Sequence, residues 1–253
     1  MFYFRFFLRM TFRSVIMYQS FYPLKFGQML ESRTSTFQSE TISEGTIHRL
    51  SLYSRLLATL EEEGTTVVSS RDLSERINFP ATQIRRDLAY FGQFGKRGIG
   101  YEVCALGRSI NEILGVHVRR RIALVGVGNL GSALLGYRVL REHNFEIVAA
   151  FDNDARKWDR VINNVVIHNP DRLPQIVECE QIEIGIIAVP PQAAQNVLDV
   201  FVLAGVRSIL NFAPARLSAP RRIKLRNVDF SIELERLSYF LQHECETTSK
   251  SVV

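Results

Sequence analysis

Cysteine is scarce in this chain of 253 residues. Its three copies, Cys104, Cys179 and Cys245, lie far apart with no paired spacing. That argues against a zinc site or an extracellular disulfide framework and predicts an intracellular, reducing, cytoplasmic setting. Long apolar runs are missing as well. The aromatic start has some features of a leader, but Arg5, Arg9 and Arg13 interrupt it every four residues, so neither export nor a membrane span is expected. The five histidines, His48, His117, His143, His168 and His243, form no recognisable catalytic constellation. No catalytic residue and no metal site is predicted, and an enzyme is not the first reading.

What the chain does have is ordinary globular composition, 46% hydrophobic and 23% charged, at a length that suits two domains. Its net charge of +5 favours an acidic partner such as nucleic acid. Four of those charges, Arg5, Arg9, Arg13 and Lys25, sit in the first thirty residues with no acid among them, beside ten of the 26 aromatics. Arginines spaced by four would line one face of an interfacial helix. The expected state of residues 1–45 is instead a poorly ordered extension, with Met1 or Met29 as the start.

From Thr46 to about residue 118 the pattern is one of short helices. Tyr53, Leu56, Leu57 and Leu60 recur at helical spacing. Ser69 and Asp72 have capping-box spacing ahead of a second helix. Asn78-Phe79-Pro80 then turns into a third helix through Phe91, in which Ile84, Leu88 and Phe91 face inward while Gln83, Arg85 and Arg86 point outward. That is a helix-turn-helix, whose second helix can enter the major groove, Gln to adenine and Arg to guanine or phosphate. Gly92 to Tyr101 holds four glycines around Lys96-Arg97, the composition of a tight hairpin, and reads as the wing of a winged helix, with Lys96 and Arg97 set to touch phosphate or the minor groove. Six basic residues against three acidic ones between Arg71 and Arg97 make a mildly positive surface, for which a dimer on two half-sites would double the phosphate contacts.

Beyond residue 118, strand-like runs alternate with helical stretches, the pattern of an α/β doubly wound parallel sheet. Arg121 to Val125 leads directly into Gly126-Val127-Gly128-Asn129-Leu130-Gly131, and a helix follows. Strand, glycines and helix stand in the order of a Rossmann dinucleotide site. Gly126 would make the tight turn, Gly128 admit a pyrophosphate to the backbone, and Gly131 let helix and strand pack closely. Asp152 closes the second strand 21 residues after Gly131, where a carboxylate accepts from a ribose 2′-hydroxyl and so favours NAD+/NADH. Further strands are predicted at 182–189, ending in Val189-Pro190 at the ligand edge, and at 208–211.

Taken together, Gln83-Ile84-Arg85-Arg86-Asp87-Leu88, Phe94 to Gly98, Gly126 to Gly131, Ile209 to Pro214 and Asn227 to Phe230 make the chain resemble the Rex family of redox-sensing transcriptional repressors, from Thr46 to Glu244. The resemblance implies a homodimer that holds palindromic double-stranded operator DNA when free or bound to NAD+ and leaves it on binding NADH. It divides the chain into a winged-helix domain (46–118), a Rossmann domain (119–230), an exchanged C-terminal dimerisation helix (231–244) and a tail (245–253). It also implies a switch of Arg55, Tyr137 on the first Rossmann helix and Asp229 of the other subunit, with Phe230 covering the nicotinamide. Departures from the family's pattern are the first 45 residues, Asn153, and Asn163-Asn164 where glycine is usual. The alternative is an NAD-dependent oxidoreductase whose first domain serves only assembly; in the repressor reading no small-molecule substrate is turned over and no membrane is bound.

Overall fold

The computed structural model describes residues 42–96 and 98–248, and the side chains of these up to residue 243. The N-terminal extension, apart from its last four residues, Arg97 and residues 249–253 lie outside the described residues.

Helix α1 (Glu44–Glu62) buries Leu50, Tyr53, Leu57 and Leu60, an apolar stripe three to four residues apart, and so presents one face to a core. Strand β1 (Val67–Val68) follows, then α2 (Ser70–Ile77). Ser69 caps α2 in a complete capping box with Asp72, and Asn78 ends it in the left-handed conformation. Helix α3 (Ala81–Phe91) starts after Pro80, which fixes the chain without needing a donor. Ile84 and Leu88 of α3 bury against Leu73 and the α1 stripe.

The hairpin of β2 (Gly95–Lys96) and β3 (Gly100–Glu102) joins β1 in a three-stranded sheet of order β1-β3-β2. Gly100 has a φ of +105°, and a Cβ there would lie 2.6 Å from the Val68 carbonyl oxygen, so two strands meet only because the residue is glycine. Strand β3 runs straight into α4 (Val103–Leu114), whose Val103, Leu106 and Ile110 close this core.

A second, seven-stranded sheet has the order β10-β9-β8-β4-β5-β7-β6. Its centre is β4 (Arg120–Val125), flanked by β5 (Phe145–Phe151) and β8 (Ile184–Ile187). Alternate residues of β4 enter different cores: Ala123 and Val125 face the helices α7 (Leu173–Cys179) and α8 (Pro191–Leu203), whereas Ile122 and Leu124 face α5 (Asn129–Gly136). Val148 is an extra residue in the pairing, because Ile122 opposes Ile147 while Ala123 opposes Ala149. Strands β9 (Ser208–Asn211) and β10 (Lys224–Asn227) extend one edge in parallel. After α5 comes a single turn, α6 (Val139–Glu142), ahead of β5.

Two expectations change here. The strand predicted at 182–189 is only Ile184–Ile187, since Ile182 is held by the end of α7 and Ala188-Val189-Pro190 already turn toward α8. The sheet is also not wholly parallel. Strand β6 (Val161–Ile162) pairs antiparallel with β7 (Val165–His168), and Asn163 (φ 49°) and Asn164 (φ 67°) both take the left-handed conformation of a two-residue hairpin. That geometry is why glycine suits these positions and why asparagine serves.

Helix α9 (Phe230–Thr248) ends the described chain. Ile232, Leu234, Leu237, Phe240 and Leu241 are all more than half exposed on it, a face that nothing among the described residues covers.

Candidate functional site

Two surfaces carry the predicted residues. On the first, α3 and the β2-β3 hairpin border a groove with Arg85, Gln93, Lys96 and Tyr101 in its wall, of about 490 Å³. Arg86 and Lys96 are exposed and have no ion-pair partner among the described residues. Arg85 is also exposed but donates from Nη1 to the Ser70 hydroxyl at 2.8 Å, so its guanidinium spans from α3 to the start of α2. Arg97 falls outside the described residues.

Gln83 is half-buried, so it points outward only in part. Its Nε2 donates to Asp87 Oδ1 at 2.8 Å, one turn further along α3. Asp87 is 3% exposed and also takes Arg49 through Nε (2.6 Å) and Nη2 (2.7 Å), and the Tyr53 hydroxyl (2.8 Å). Burial works against the charge of Asp87, but Arg49, Tyr53 and Gln83 together hold its carboxyl below the ordinary range. Burial and the same bond push the Tyr53 phenol above its usual value. This node pins α3 to α1. The α1 partners lie 34 and 38 residues from Asp87, so no local spacing in the sequence announces the tie between the two helices.

The second surface is a cleft of about 540 Å³ at the carboxyl ends of β4, β5 and β8. The chain goes outward from β4 through β5 to β7 and then crosses back to β8, so the cleft opens where the strand order reverses, the place where such sheets hold ligands. Gly126, at φ +99°, turns so tightly that a Cβ would lie 2.3 Å from the Ala188 carbonyl oxygen. A Cβ on Gly131 would lie 1.9 Å from the Gly126 carbonyl oxygen. At Gly128 a Cβ would meet nothing within 4 Å, and no side chain caps α5 there. The first amides of α5 thus face open space, with the positive end of the helix dipole behind them. This set suits a pyrophosphate, by donor chemistry and by clearance.

Gly126, Gly128, Asp152, Val189 and Pro190 all line this cleft. Val127 is 3% exposed and turns its side chain into the sheet core, so it offers only backbone, and Asn129 and Leu130 are exposed on the first turn of α5.

Asp152 is not the open acceptor its spacing predicted. It is buried, with Oδ2 taking the Val127 amide and Lys157 Nζ, both at 2.8 Å, and Oδ1 taking the Asp154 amide at 2.9 Å. Burial opposes its charge, but Lys157 and the two amides hold the carboxyl below its usual range. One lone-pair position on Oδ1 is left for a sugar hydroxyl. Asp154 lines the same cleft beside it, pushed down to about 2 by the Arg156 guanidinium.

Tyr137, Asp229, Phe230 and Arg55 are not among the residues lining the cleft. Helix α5 ends at Gly136, so Tyr137 caps the first Rossmann helix and does not lie on it, and it is 53% exposed instead of packed. Asp229 accepts from the Ser231 amide and hydroxyl at the start of α9. Phe230 stacks on Phe212, ring centroids 6.3 Å apart. Arg55 is exposed on α1. Sequence reasoning missed Lys157 as the partner of Asp152, and also Asn211. Asn211 is fully buried at the end of β9, where its amide bridges the Ala213 backbone and Asn227 of β10. Among the described residues no cluster of three or more His, Cys, Asp or Glu stands ready for a metal ion, and no helix is long and apolar enough to cross a membrane.

Comparison with known proteins matches both halves. Residues 41–89 fit the family described as "Putative DNA-binding protein N-terminus" and residues 118–215 fit that described as "CoA binding domain". The redox-sensing transcriptional repressor Rex of Desulforamulus reducens is 46% identical over 200 residues, covering 79% of this chain and 95% of the relative. That of Carboxydothermus hydrogenoformans is 45% identical over 203 residues, covering 80% and 98%. The crystal structure of RSP in complex with β-NAD+ and operator DNA superposes with a TM-score of 0.78 at 34% identity, covering 84% of this chain and 98% of that one. RSP in complex with β-NADH gives 0.75 at 32%, covering 83% and 98%. With identity of this order over most of its length, the chain belongs to the Rex family of redox-sensing transcriptional repressors.

Proposed function

We propose that this chain is a homodimeric repressor that reads the NADH/NAD+ ratio, holding a palindromic operator when free or bound to NAD+ and leaving it on binding NADH. It is not an enzyme in this reading. The carrying observation is that one chain holds both a basic helix-and-hairpin surface, at Arg86 and Lys96, unpaired among the described residues, and a glycine turn whose open face at Gly128 suits a pyrophosphate. Residues 46–118 would serve as the reading domain and 119–230 as the sensing domain. Residues 231–244 would be a helix exchanged between subunits, which gives its exposed apolar face something to cover.

In this reading Gln83, Arg85, Arg86, Lys96 and Arg97 contact the DNA, the last two from the wing. The dinucleotide lies along Gly126 to Gly131, with Asp152 toward a ribose and Val189-Pro190 beneath the far half. Tyr137 and Phe230 stand outside one chain's cleft, and the exchange of α9 would bring the partner's Phe230 and Asp229 toward it. Arg55, Tyr137 and that Asp229 would then couple cofactor to α1, which Asp87 ties to α3. What separates NADH from NAD+ is the nicotinamide ring, which is uncharged when reduced. The protein turns this into release only if its closed form binds NADH more tightly, and by reciprocity operator DNA must then weaken NADH binding.

A mobility shift on the operator with NADH titrated against NAD+ is the test. Release by NADH alone is expected. Equal NADH affinity with and without operator refutes the switch, and steady turnover of a hydroxy or keto substrate favours an oxidoreductase.

A further inference from the structure

The Gln83-Asp87 contact does more than hold a helix. Four donors, two from Arg49, one from Tyr53 and one from Gln83, fill the two oxygens of the Asp87 carboxylate. A carboxylate can only accept, and an amide carbonyl can only accept as well, so Gln83 can face Asp87 with its NH2 and never with Oε1. The flip of the amide, free in an exposed glutamine, is thus decided within the protein. One N–H is spent on Asp87, and what stays available to a partner is a donor beside an acceptor.

We propose that Asp87 is a positioning residue for base reading: it fixes the Gln83 amide so that α3 selects adenine at one position of each half-site. Adenine shows an N7 acceptor beside an N6 donor in the major groove, which this pair matches, whereas guanine shows two acceptors. The inference rests on α3 being the DNA-reading helix and adds which base it reads there and why.

The test uses the full-length protein and a pool of random double-stranded DNA. Bound duplexes are sequenced, and the selected duplex is then resynthesised with 7-deazaadenine at one adenine at a time. The wild type should lose about tenfold or more in affinity at one adenine per half-site. Asp87→Asn, which lets the amide turn either way, should lose adenine preference at that position alone and keep the other preferences. Unchanged adenine preference in Asp87→Asn, or a loss spread evenly over all positions, overturns the proposal and leaves Asp87 as scaffold.

Should Asp87→Asn melt, Gln83→Glu decides, since side chain 83 is partly exposed. Its carboxylate, repelled outward by Asp87, should turn the preference from adenine to cytosine, which offers an N4 donor. Adenine preference retained by Gln83→Glu overturns the proposal too. A wild type that selects no sequence fails the parent reading first, and that outcome is distinct from both.

Discussion

Gly128→Ala separates sensing from folding. The backbone at Gly128, with φ −83° and ψ −158°, is open to any residue, and the added Cβ meets nothing within 4 Å. Alanine lowers the entropy of the unfolded chain, which stabilises by about 0.4–1 kcal/mol. It is a poorer N-cap than glycine by a similar amount, so the two offset and the net change should stay within about 0.5 kcal/mol. Bound pyrophosphate must bring an oxygen to about 2.9 Å from an amide nitrogen, and a methyl at this point holds it off. Losing one or two hydrogen bonds to a charged group, at about 1.5–3 kcal/mol each, corresponds to a fall in NADH affinity of about tenfold to more than about ten-thousandfold.

Gly131→Ala is the contrast. There the Cβ would sit 1.9 Å from a carbonyl oxygen, where ordinary contact begins at 3.4 Å, so strand and helix must part by more than an ångström. Overpacking of this kind costs about 1–3 kcal/mol or more, and each kcal/mol lowers the melting temperature by about 2–4 °C at this chain length. Thermal melting and a fluorescence titration with NADH read both effects, and a mobility shift adds the third. The Gly128 variant should melt like the wild type, bind operator and need at least about tenfold more NADH for release. Wild-type NADH affinity in Gly128→Ala would refute the placement of the pyrophosphate.

Arg86→Ala should lower operator affinity about tenfold or more, reduce the salt dependence by about 0.9 per lost phosphate contact and leave NADH binding and melting untouched; a fall in melting temperature would show Arg86 to be structural. Tyr53→Phe leaves Asp87 Oδ2 one donor short in a buried site, which costs about 1–3 kcal/mol, and a melting curve that does not move would mean that the node is redundant. His168 has a buried Nδ1 without a hydrogen-bond partner among the described residues, and burial, helped by Arg172, holds its imidazole below its ordinary range. The unfolded chain then takes up the proton first, so this contribution is complete above about pH 6.5 and is lost as pH falls below it. His168→Phe should flatten the stability profile between about pH 5 and 7, and an unchanged slope would assign it to other groups. Asp87 and Asp152, both depressed, give stability that is present above about pH 4 and lost as pH falls through their folded values.

Much of this was legible because it is local. Ser69 and Asp72 announce the start of α2, since a capping box closes within four residues. The strand, glycine turn and helix from Arg121 to Leu135 appear in sequence order because a dinucleotide turn is itself one stretch of chain. The limits of 182–189 were drawn too wide because apolar character persists past the last paired residue, while pairing is decided by neighbours.

Local pattern therefore determined the element types, the glycine turn, the basic hairpin and the apolar face of α9, each written in residues close together. Tertiary structure decided which polar groups are already taken. Asp152 looked like a free acceptor until Val127 and Lys157 closed on it, and Gln83 like a free reader until Asp87 held its amide. A buried carboxylate gathers whatever donors the fold brings to it, however distant in sequence, and only the folded chain brings Arg49 and Tyr53 to Asp87.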